Sequence, residues 1–114
     1  MVKVDGRILK RGDIIQLSLD PRTGSEQSGF RPAIVISPAE YNQISRIVLI
    51  CPITSRQKGW PFEVELPDTL QTHGVVLVDQ IKAIDAIARK AQFVEESTSA
   101  LIDEVLGRLE TLVS

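Results

Sequence analysis

The chain has 114 residues, of which 43% are hydrophobic and 25% charged, and these values predict one soluble globular domain over residues 1–114. No apolar stretch approaches the roughly 20 residues that cross a bilayer, and no long apolar run follows the basic N-terminal residues, which argues against a membrane span and a signal peptide. Cys51 is the one cysteine, so an internal disulfide is excluded, and we expect a cytoplasmic protein.

Charge is distributed unevenly along the chain. The net charge of −2 argues weakly against a nucleic-acid partner. Residues 1–60, however, contain nine Lys and Arg against five Asp and Glu, whereas residues 61–114 contain four against ten. A positive half can attract phosphates while the whole chain stays acidic, although ordinary solvated surfaces would give the same count.

Short apolar segments separated by Gly and Pro fill the first two-thirds of the chain and predict strands. In chain order we expect strands over 12–19, 32–37, 47–53, 62–66 and 74–78, a helical turn over 38–43, polar loops over 20–30 and 54–61, and a further ordered stretch over 81–87. The alternation of apolar and acidic residues in 62–66 predicts that one face of this strand is wet. The first polar loop is long for a strand connection, and such loops are often functional.

The end of the chain changes to a helical period. Apolar residues recur at helical spacing on one face: Ile102, Val105, Leu106, Leu109, Leu112 and Val113. Residues 97–99 offer hydroxyl groups that could cap this helix, and Gly107 within it suggests a close backbone approach. Many short strands followed by one helix predict a mainly-β fold, a small barrel closed by a C-terminal α-helix.

The side chains available for chemistry exclude several site classes. One histidine and one cysteine cannot form a zinc site, and no calcium-loop spacing, phosphate loop or dinucleotide fingerprint is present, so we expect no metal and no cofactor. Cys51 lies in an apolar run, which favours a buried thiol over a nucleophile. His73 lies in a predicted turn, which favours a surface histidine over a catalytic one.

The first polar loop concentrates reactive groups between glycines. Glu26 and Arg31 flank a bend at Gly29, so their charged ends could meet either as an ion pair that holds the loop or as a site. RNA cleavage gives such a pair a purpose, because the ribose 2′-hydroxyl can attack its own neighbouring phosphate. The enzyme then needs a base, positive charge on the transition state and a proton for the leaving oxygen. Glu26 suits the base, and the guanidinium of Arg31 suits phosphate oxygens better than proton donation.

Several motifs resemble the MazF/PemK family of toxins over nearly the whole chain. They are Gly12-Asp13-Ile14-Ile15, Gly24-Ser25-Glu26-Gln27-x-Gly29-x-Arg31-Pro32, Lys58-Gly59-Trp60-Pro61-Phe62 and Gly74-Val75-Val76-Leu77-Val78-Asp79-Gln80. The resemblance implies an SH3-like (CcdB/MazF-type) barrel with a C-terminal helix that forms a homodimer. It also implies metal-independent, sequence-specific cleavage of single-stranded RNA, often mRNA, with 2′,3′-cyclic phosphate and 5′-hydroxyl ends. A partly disordered MazE-like antitoxin would block the site.

The resemblance also implies roles for individual residues. Catalysis falls to Glu26 as base, Arg31 as acid or phosphate clamp, and Thr54 as a phosphate contact, although Thr54 could equally be a strand-end cap. The expected RNA contacts are Ser25, Gln27, Arg56, Lys58, Trp60, Asp79 and Gln80. Trp60 could instead pack at the barrel rim or in a dimer interface. Asp79 lacks the arginine that precedes its counterpart in one branch of the family, so a structural or base-contacting role is preferred.

Two other functions are compatible with such a fold. The chain could be a non-catalytic toxin that resembles CcdB and poisons a topoisomerase by binding it, because fold alone does not determine function. It could also be a degenerate toxin that retains only antitoxin binding. The complete run from Gly24 to Pro32, together with Thr54, favours the RNA-cleaving enzyme over both.

Overall fold

The computed structural model describes residues 1–19 and 30–114. Within these ranges the elements are β1 (Asp13–Ser18), β2 (Phe30–Val35), α1 (Ala39–Asn42), β3 (Ile47–Thr54), β4 (Glu63–Glu65), β5 (Val75–Leu77), β6 (Lys82–Asp85), β7 (Gln92–Glu96) and α2 (Ser99–Val113). A short 3-10 helix, Val78–Gln80, connects β5 to β6. The predicted mainly-β class with a C-terminal helix is confirmed.

The strands pair antiparallel in the order β4-β5-β3-β2-β1-β7, and β6 pairs with the first half of β3. In the described ranges no pair joins β4 to β7, so these strands form an open sheet rather than the closed barrel that the sequence predicted. Strand β7 was also missed, because Phe93 and Val94 are its only apolar residues and give no recognisable run. It forms along the free edge of β1, which supplies its backbone hydrogen-bond partners.

Strand β3 is the centre of the sheet. One of its edges pairs with β2, while the other pairs first with β6 and then, at Ile53 and Thr54, with β5. Two strands share this second edge because the 3-10 helix between β5 and β6 lets the chain continue along β3 in the same direction. The arrangement places the last residue of β3, Thr54, at the junction of β3, β5 and the second polar loop.

Both faces of the sheet are covered by apolar side chains. Successive strand residues point to opposite faces, so Ile14 and Ile15 enter different cores. One core lies beneath α2 and receives Leu101 and Val105, whereas the other lies beneath the N-terminal segment and receives Val4. Burial on both faces explains why the strand sequences are apolar runs rather than clean alternations.

The C-terminal helix begins three residues before the first residue of its apolar pattern. Its N-cap is Thr98, whose Oγ1 accepts a hydrogen bond from the backbone N–H of Leu101 at 3.1 Å, which confirms the predicted capping. Gly107 is exposed and a Cβ placed there would meet nothing within 4 Å, so the predicted close backbone approach is wrong. None of the helices in residues 1–19 and 30–114 has the length and apolar content to cross a membrane.

A buried ion pair fastens the N-terminal segment to the sheet. The carboxylate of Asp13, which is 1% exposed, accepts hydrogen bonds from Nε and Nη2 of Arg7 at 2.8 and 2.9 Å and from the backbone N–H of Lys10 at 2.9 Å. Nη2 of Arg7 also donates to Glu96 of β7 at 2.9 Å. These bonds tie the segment before β1 to the first and last strands.

Candidate functional site

The register of the central strands brings two of the three predicted catalytic residues to one end of the sheet. Ala33 of β2 pairs with Pro52 of β3, and extending this register by two residues would place Arg31 beside Thr54 on the same face. Arg31 is exposed, and its backbone pairs with Leu17 of β1. The third predicted catalytic residue, Glu26, lies outside the described residues, as do the predicted RNA contacts Ser25 and Gln27.

Thr54 is buried, and its hydroxyl oxygen is bonded to the chain that follows it. Its side-chain oxygen accepts a hydrogen bond from the backbone N–H of Arg56 at 3.2 Å. This geometry confirms the strand-end cap that the sequence left open. It is also compatible with a ligand contact, because a hydroxyl that accepts one bond still has its own hydrogen to donate.

The second polar loop carries a cation, Lys58, and an aromatic ring, Trp60, that pack beside Phe62 at the end of the loop. The Nζ atom of Lys58 lies 4.8 Å from the centroid of the Trp60 ring. That ring contacts Phe62 edge to face, with centroids 5.0 Å apart and planes at 64°. Trp60 packs on its neighbour and yet remains 49% exposed. Arg56, in the same loop, is exposed.

Glu63, the first residue of β4, is buried and holds this loop. It was predicted to lie on a wet face, but it is only 8% exposed. Its carboxylate accepts backbone N–H bonds from Lys58 at 3.0 Å and from Gly59 at 3.0 Å. The prediction holds for Glu65, which is exposed, but is wrong for Glu63. The two amides replace the water that a buried carboxylate otherwise needs, and a local pattern of alternating residues cannot reveal them.

Helix α2 holds the far end of the same loop. The guanidinium of Arg108 donates to the backbone carbonyl oxygens of Pro61 and Glu63, and it also pairs with Glu104 one turn earlier at 3.1 Å. The loop that carries Lys58 and Trp60 is therefore fastened at its base by Glu63 and at its end by Arg108. These hydrogen bonds reduce the conformational entropy that the loop would lose on binding a ligand.

Asp79 and Gln80 lie in the 3-10 helix after β5. Partial burial raises the pKa of Asp79 above its ordinary value, and the nearby charge of Glu63 adds to the shift. Glu63 pairs with Leu77, two residues before Asp79, which brings Asp79 near the base of the second loop. Asp79 is exposed and Gln80 is half-buried. Sequence reasoning grouped both with the loop as RNA contacts, and their direct contact with a ligand stays a prediction.

Cys51 and His73 occupy the positions that the sequence favoured. Cys51 is fully buried in β3, and burial followed by the negative charge of Asp79 raises the pKa of its thiol to about 12. The thiolate form is therefore scarce at neutral pH, and the interpretation as a buried thiol is confirmed. His73 is exposed. In the parts of the chain that the structure describes, no three His, Cys, Asp or Glu side chains are grouped so that they could hold a metal ion.

Two residues that bear on the site were missed by sequence reasoning. One is Glu63, described above. The other is Gly74, whose backbone lies directly against Thr54: a Cβ at this glycine would stand 2.2 Å from the Thr54 carbonyl oxygen. The available signal was a glycine immediately before an apolar strand, which indicates a close approach without naming the partner.

Comparison with known proteins gives consistent matches over most of the chain. Residues 10–113 match the model of the PemK-like, MazF-like toxin of type II toxin–antitoxin systems. The chain is similar to the endoribonuclease PemK of Escherichia coli, with 38% identity over 93% of this chain and 83% of that protein. It is also similar to the endoribonuclease toxin MazF of Escherichia coli K12, with 48% identity over 70% of this chain and 71% of that protein.

Solved structures are similar in fold as well as in sequence. The crystal structure of MazF from Deinococcus radiodurans superimposes with a TM-score of 0.89 and 41% identity, covering 94% of this chain and 97% of that one. A MazE–MazF crystal structure from the same organism gives a TM-score of 0.82 and 37% identity, covering 94% and 96%.

Proposed function

We propose that this chain, which belongs to the PemK-like, MazF-like toxin family of type II toxin–antitoxin systems, cuts single-stranded RNA without a metal ion. Membership of this family makes it an RNA-cleaving toxin. We further propose that it cuts at short sequence motifs, often in mRNA, and leaves a 2′,3′-cyclic phosphate and a 5′-hydroxyl. The observation that carries this proposal is the register of β2 and β3, which directs Arg31 and Thr54 to the same end of the sheet.

The reaction needs no external nucleophile. The ribose 2′-oxygen forms a bond to the adjacent phosphorus and its proton passes to a base. The bond from phosphorus to the 5′-oxygen breaks, and that oxygen takes up a proton from water. We assign the base to Glu26. The two-pronged guanidinium of Arg31 stabilises the negative charge that builds on the phosphate oxygens. The hydroxyl hydrogen of Thr54 donates to one of those oxygens, because its oxygen already accepts from Arg56.

The second loop is proposed to hold the RNA strand beside this site. Lys58 and Arg56 supply positive charge for phosphates, and the half-exposed ring of Trp60 offers a surface on which a base can stack. Ser25, Gln27, Asp79 and Gln80 are proposed as further contacts that read base edges or backbone. The loop is well suited to this task because Glu63 and Arg108 already fix its shape.

The proposed partners follow from the same membership. Solved relatives include MazE–MazF complexes, and we propose that a MazE-like antitoxin binds this chain and blocks the site. We also propose that the chain forms a homodimer and acts in the cytoplasm. Its curated relatives are named endoribonucleases, which favours RNA cleavage over the alternative of a topoisomerase-binding toxin.

Cleavage of a mixed-sequence RNA in excess EDTA tests the proposed reaction. We expect cutting at a limited set of sites, with rates unchanged by the chelator, products that accept phosphate on their 5′-hydroxyl ends, and cyclic phosphate at the 3′ ends. An Arg31→Ala preparation purified in parallel controls for contaminating nucleases. Products with 5′-phosphate ends, rates that fall on removal of metal, or the absence of cleavage of any RNA would each overturn the proposal.

Removal of the Glu63 carboxylate tests the role of the second loop. We expect Glu63→Ala to raise KM for RNA by about tenfold with a smaller change in kcat. The Lys58 and Gly59 amides lose their acceptor, so the free loop becomes less ordered and binding must supply the entropy cost of ordering it. Glu65→Ala is the matched control, since Glu65 lies on the same strand but is exposed. Equal effects of the two variants on KM would contradict this assignment.

A further inference from the structure

Gly74 makes a backbone contact that no other residue type could make. Its φ is +122°, a conformation that side chains rarely adopt. A Cβ there would lie 2.2 Å from the carbonyl oxygen of Thr54, 2.8 Å from its carbonyl carbon and 3.2 Å from Cα of Ser55. All three atoms belong to the backbone, so no rotation of a side chain can relieve the overlap. The contact therefore requires glycine at this position.

The segment that carries Gly74 is held firmly from the other side. The carboxylate of Glu95 in β7 accepts hydrogen bonds from the backbone N–H of Gln71 at 3.0 Å, and from the N–H and Oγ1 of Thr72, both at 2.8 Å. The carbonyl oxygen of Gly74 accepts from the N–H of Leu66 at 3.0 Å. Because hydrogen bonds fix the turn at both ends, a steric clash between a side chain at position 74 and Thr54 would displace the backbone of Thr54 and not the turn.

The position of the Thr54 hydroxyl is sensitive to such a displacement. Its hydroxyl is aimed by one local hydrogen bond, from the N–H of Arg56 to Oγ1 at 3.2 Å, and the backbone between them passes through Ser55. A shift of the carbonyl at Thr54 rotates the peptide that leads to Ser55 and Arg56. The position of the Thr54 hydroxyl group therefore depends on the space that Gly74 leaves.

We propose that Gly74 is a positioning residue for catalysis, which sets the Thr54 hydroxyl against the scissile phosphate through its backbone contact with the Thr54 carbonyl. This inference rests on the phosphate contact assigned to Thr54 in the proposed function. Gly74 itself touches no substrate atom. Its effect on the reaction passes entirely through Thr54, and this dependence is measurable.

A double-mutant cycle between the two positions tests the proposal. For Gly74→Ala we expect kcat for RNA cleavage to fall about 100-fold, the effect of a displacement near 1 Å, while KM changes less than about threefold. Thr54→Ala should lower kcat about 100-fold by removing one donor. In the Thr54→Ala background, Gly74→Ala should then change kcat less than about threefold, because the group through which it acts is gone.

Two further variants separate positioning from damage to the fold. Gly6→Ala is the matched control, since Gly6 also has positive φ (+76°) but a Cβ there meets nothing within 4 Å, and we expect unchanged kcat. If Gly74→Ala does not fold, Glu95→Ala loosens the same turn without an overlap. It should lower kcat about tenfold, again only when Thr54 is present.

The outcomes distinguish this inference from the proposed function. Effects of the Gly74 and Thr54 changes that multiply independently, or a Gly74→Ala variant with normal kcat, overturn the positioning role alone. A Thr54→Ala enzyme with normal kcat overturns the phosphate contact assigned to Thr54, and the positioning role with it. Absence of cleavage by the unmodified protein overturns the proposed function itself.

Discussion

Replacement of Arg31 by alanine is expected to lower kcat for RNA cleavage by about 1000-fold, because the variant loses the one guanidinium assigned to the charge of the phosphorane-like transition state. Arg31 is exposed at the start of β2, so the cores do not depend on its side chain. The midpoint of thermal unfolding should therefore change little. Single-turnover cleavage of an RNA that contains one cut site measures the chemical step directly, and circular dichroism reports the fold.

Two further substitutions sharpen this result. Arg31→Lys keeps the positive charge but loses the two-pronged geometry, so we expect a kcat between those of the alanine variant and the unmodified protein. Arg46→Ala removes an exposed arginine whose carboxylate partner, Asp85, lies at the far end of the sheet, and it should leave kcat unchanged. An Arg31→Ala enzyme that turns over near the normal rate would remove Arg31 from the mechanism.

Loss of Arg7 is expected to have the largest effect on stability. Arg7→Met should lower the free energy of unfolding by about 3 kcal/mol, the lower end of the cost of breaking a buried ion pair, because Arg7 itself retains some exposure. Of its partners among residues 1–19 and 30–114, the carboxylate of Asp13 would keep the N–H of Lys10 while remaining buried. The contact of the guanidinium with the Phe93 ring, at 4.3 Å, would also be lost.

Urea unfolding followed by tryptophan fluorescence measures this difference, since Trp60 is the one tryptophan of the chain. Lys10→Ala provides the control, because in the described parts of the chain the side chain of Lys10 pairs with the exposed Glu96, at 3.4 Å, and should contribute far less to stability than Arg7 does. The combined Arg7→Met and Asp13→Leu change should recover much of the lost stability, as an apolar pair avoids the unpaired charge. Equal free energies of unfolding of Arg7→Met and Lys10→Ala would show that the ion pair between Arg7 and Asp13 does not stabilise the fold.

Much of the fold could be predicted from local sequence. The apolar segments interrupted by Gly and Pro gave the strands around Ile34 and Ile50 in nearly their observed places, because strand formation there is driven by burial on both faces. The helical period from Ile102 onward, preceded by hydroxyl residues, gave α2 and its cap at Thr98. The motif around Arg31 indicated the family without any coordinates.

The tertiary structure alone decided which groups meet. Glu63 was predicted to be exposed to solvent, yet it is buried because two backbone amides of the neighbouring loop donate hydrogen bonds to its carboxylate. The contact of Gly74 with Thr54 depends on the pairing of β5 with β3, and the position of Arg31 and Thr54 at one end of the sheet depends on the register of β2 with β3. Local sequence determines how each segment folds, because propensity and periodicity act over a few residues. Contacts between distant segments depend on strand order and register, which only the packed sheet establishes.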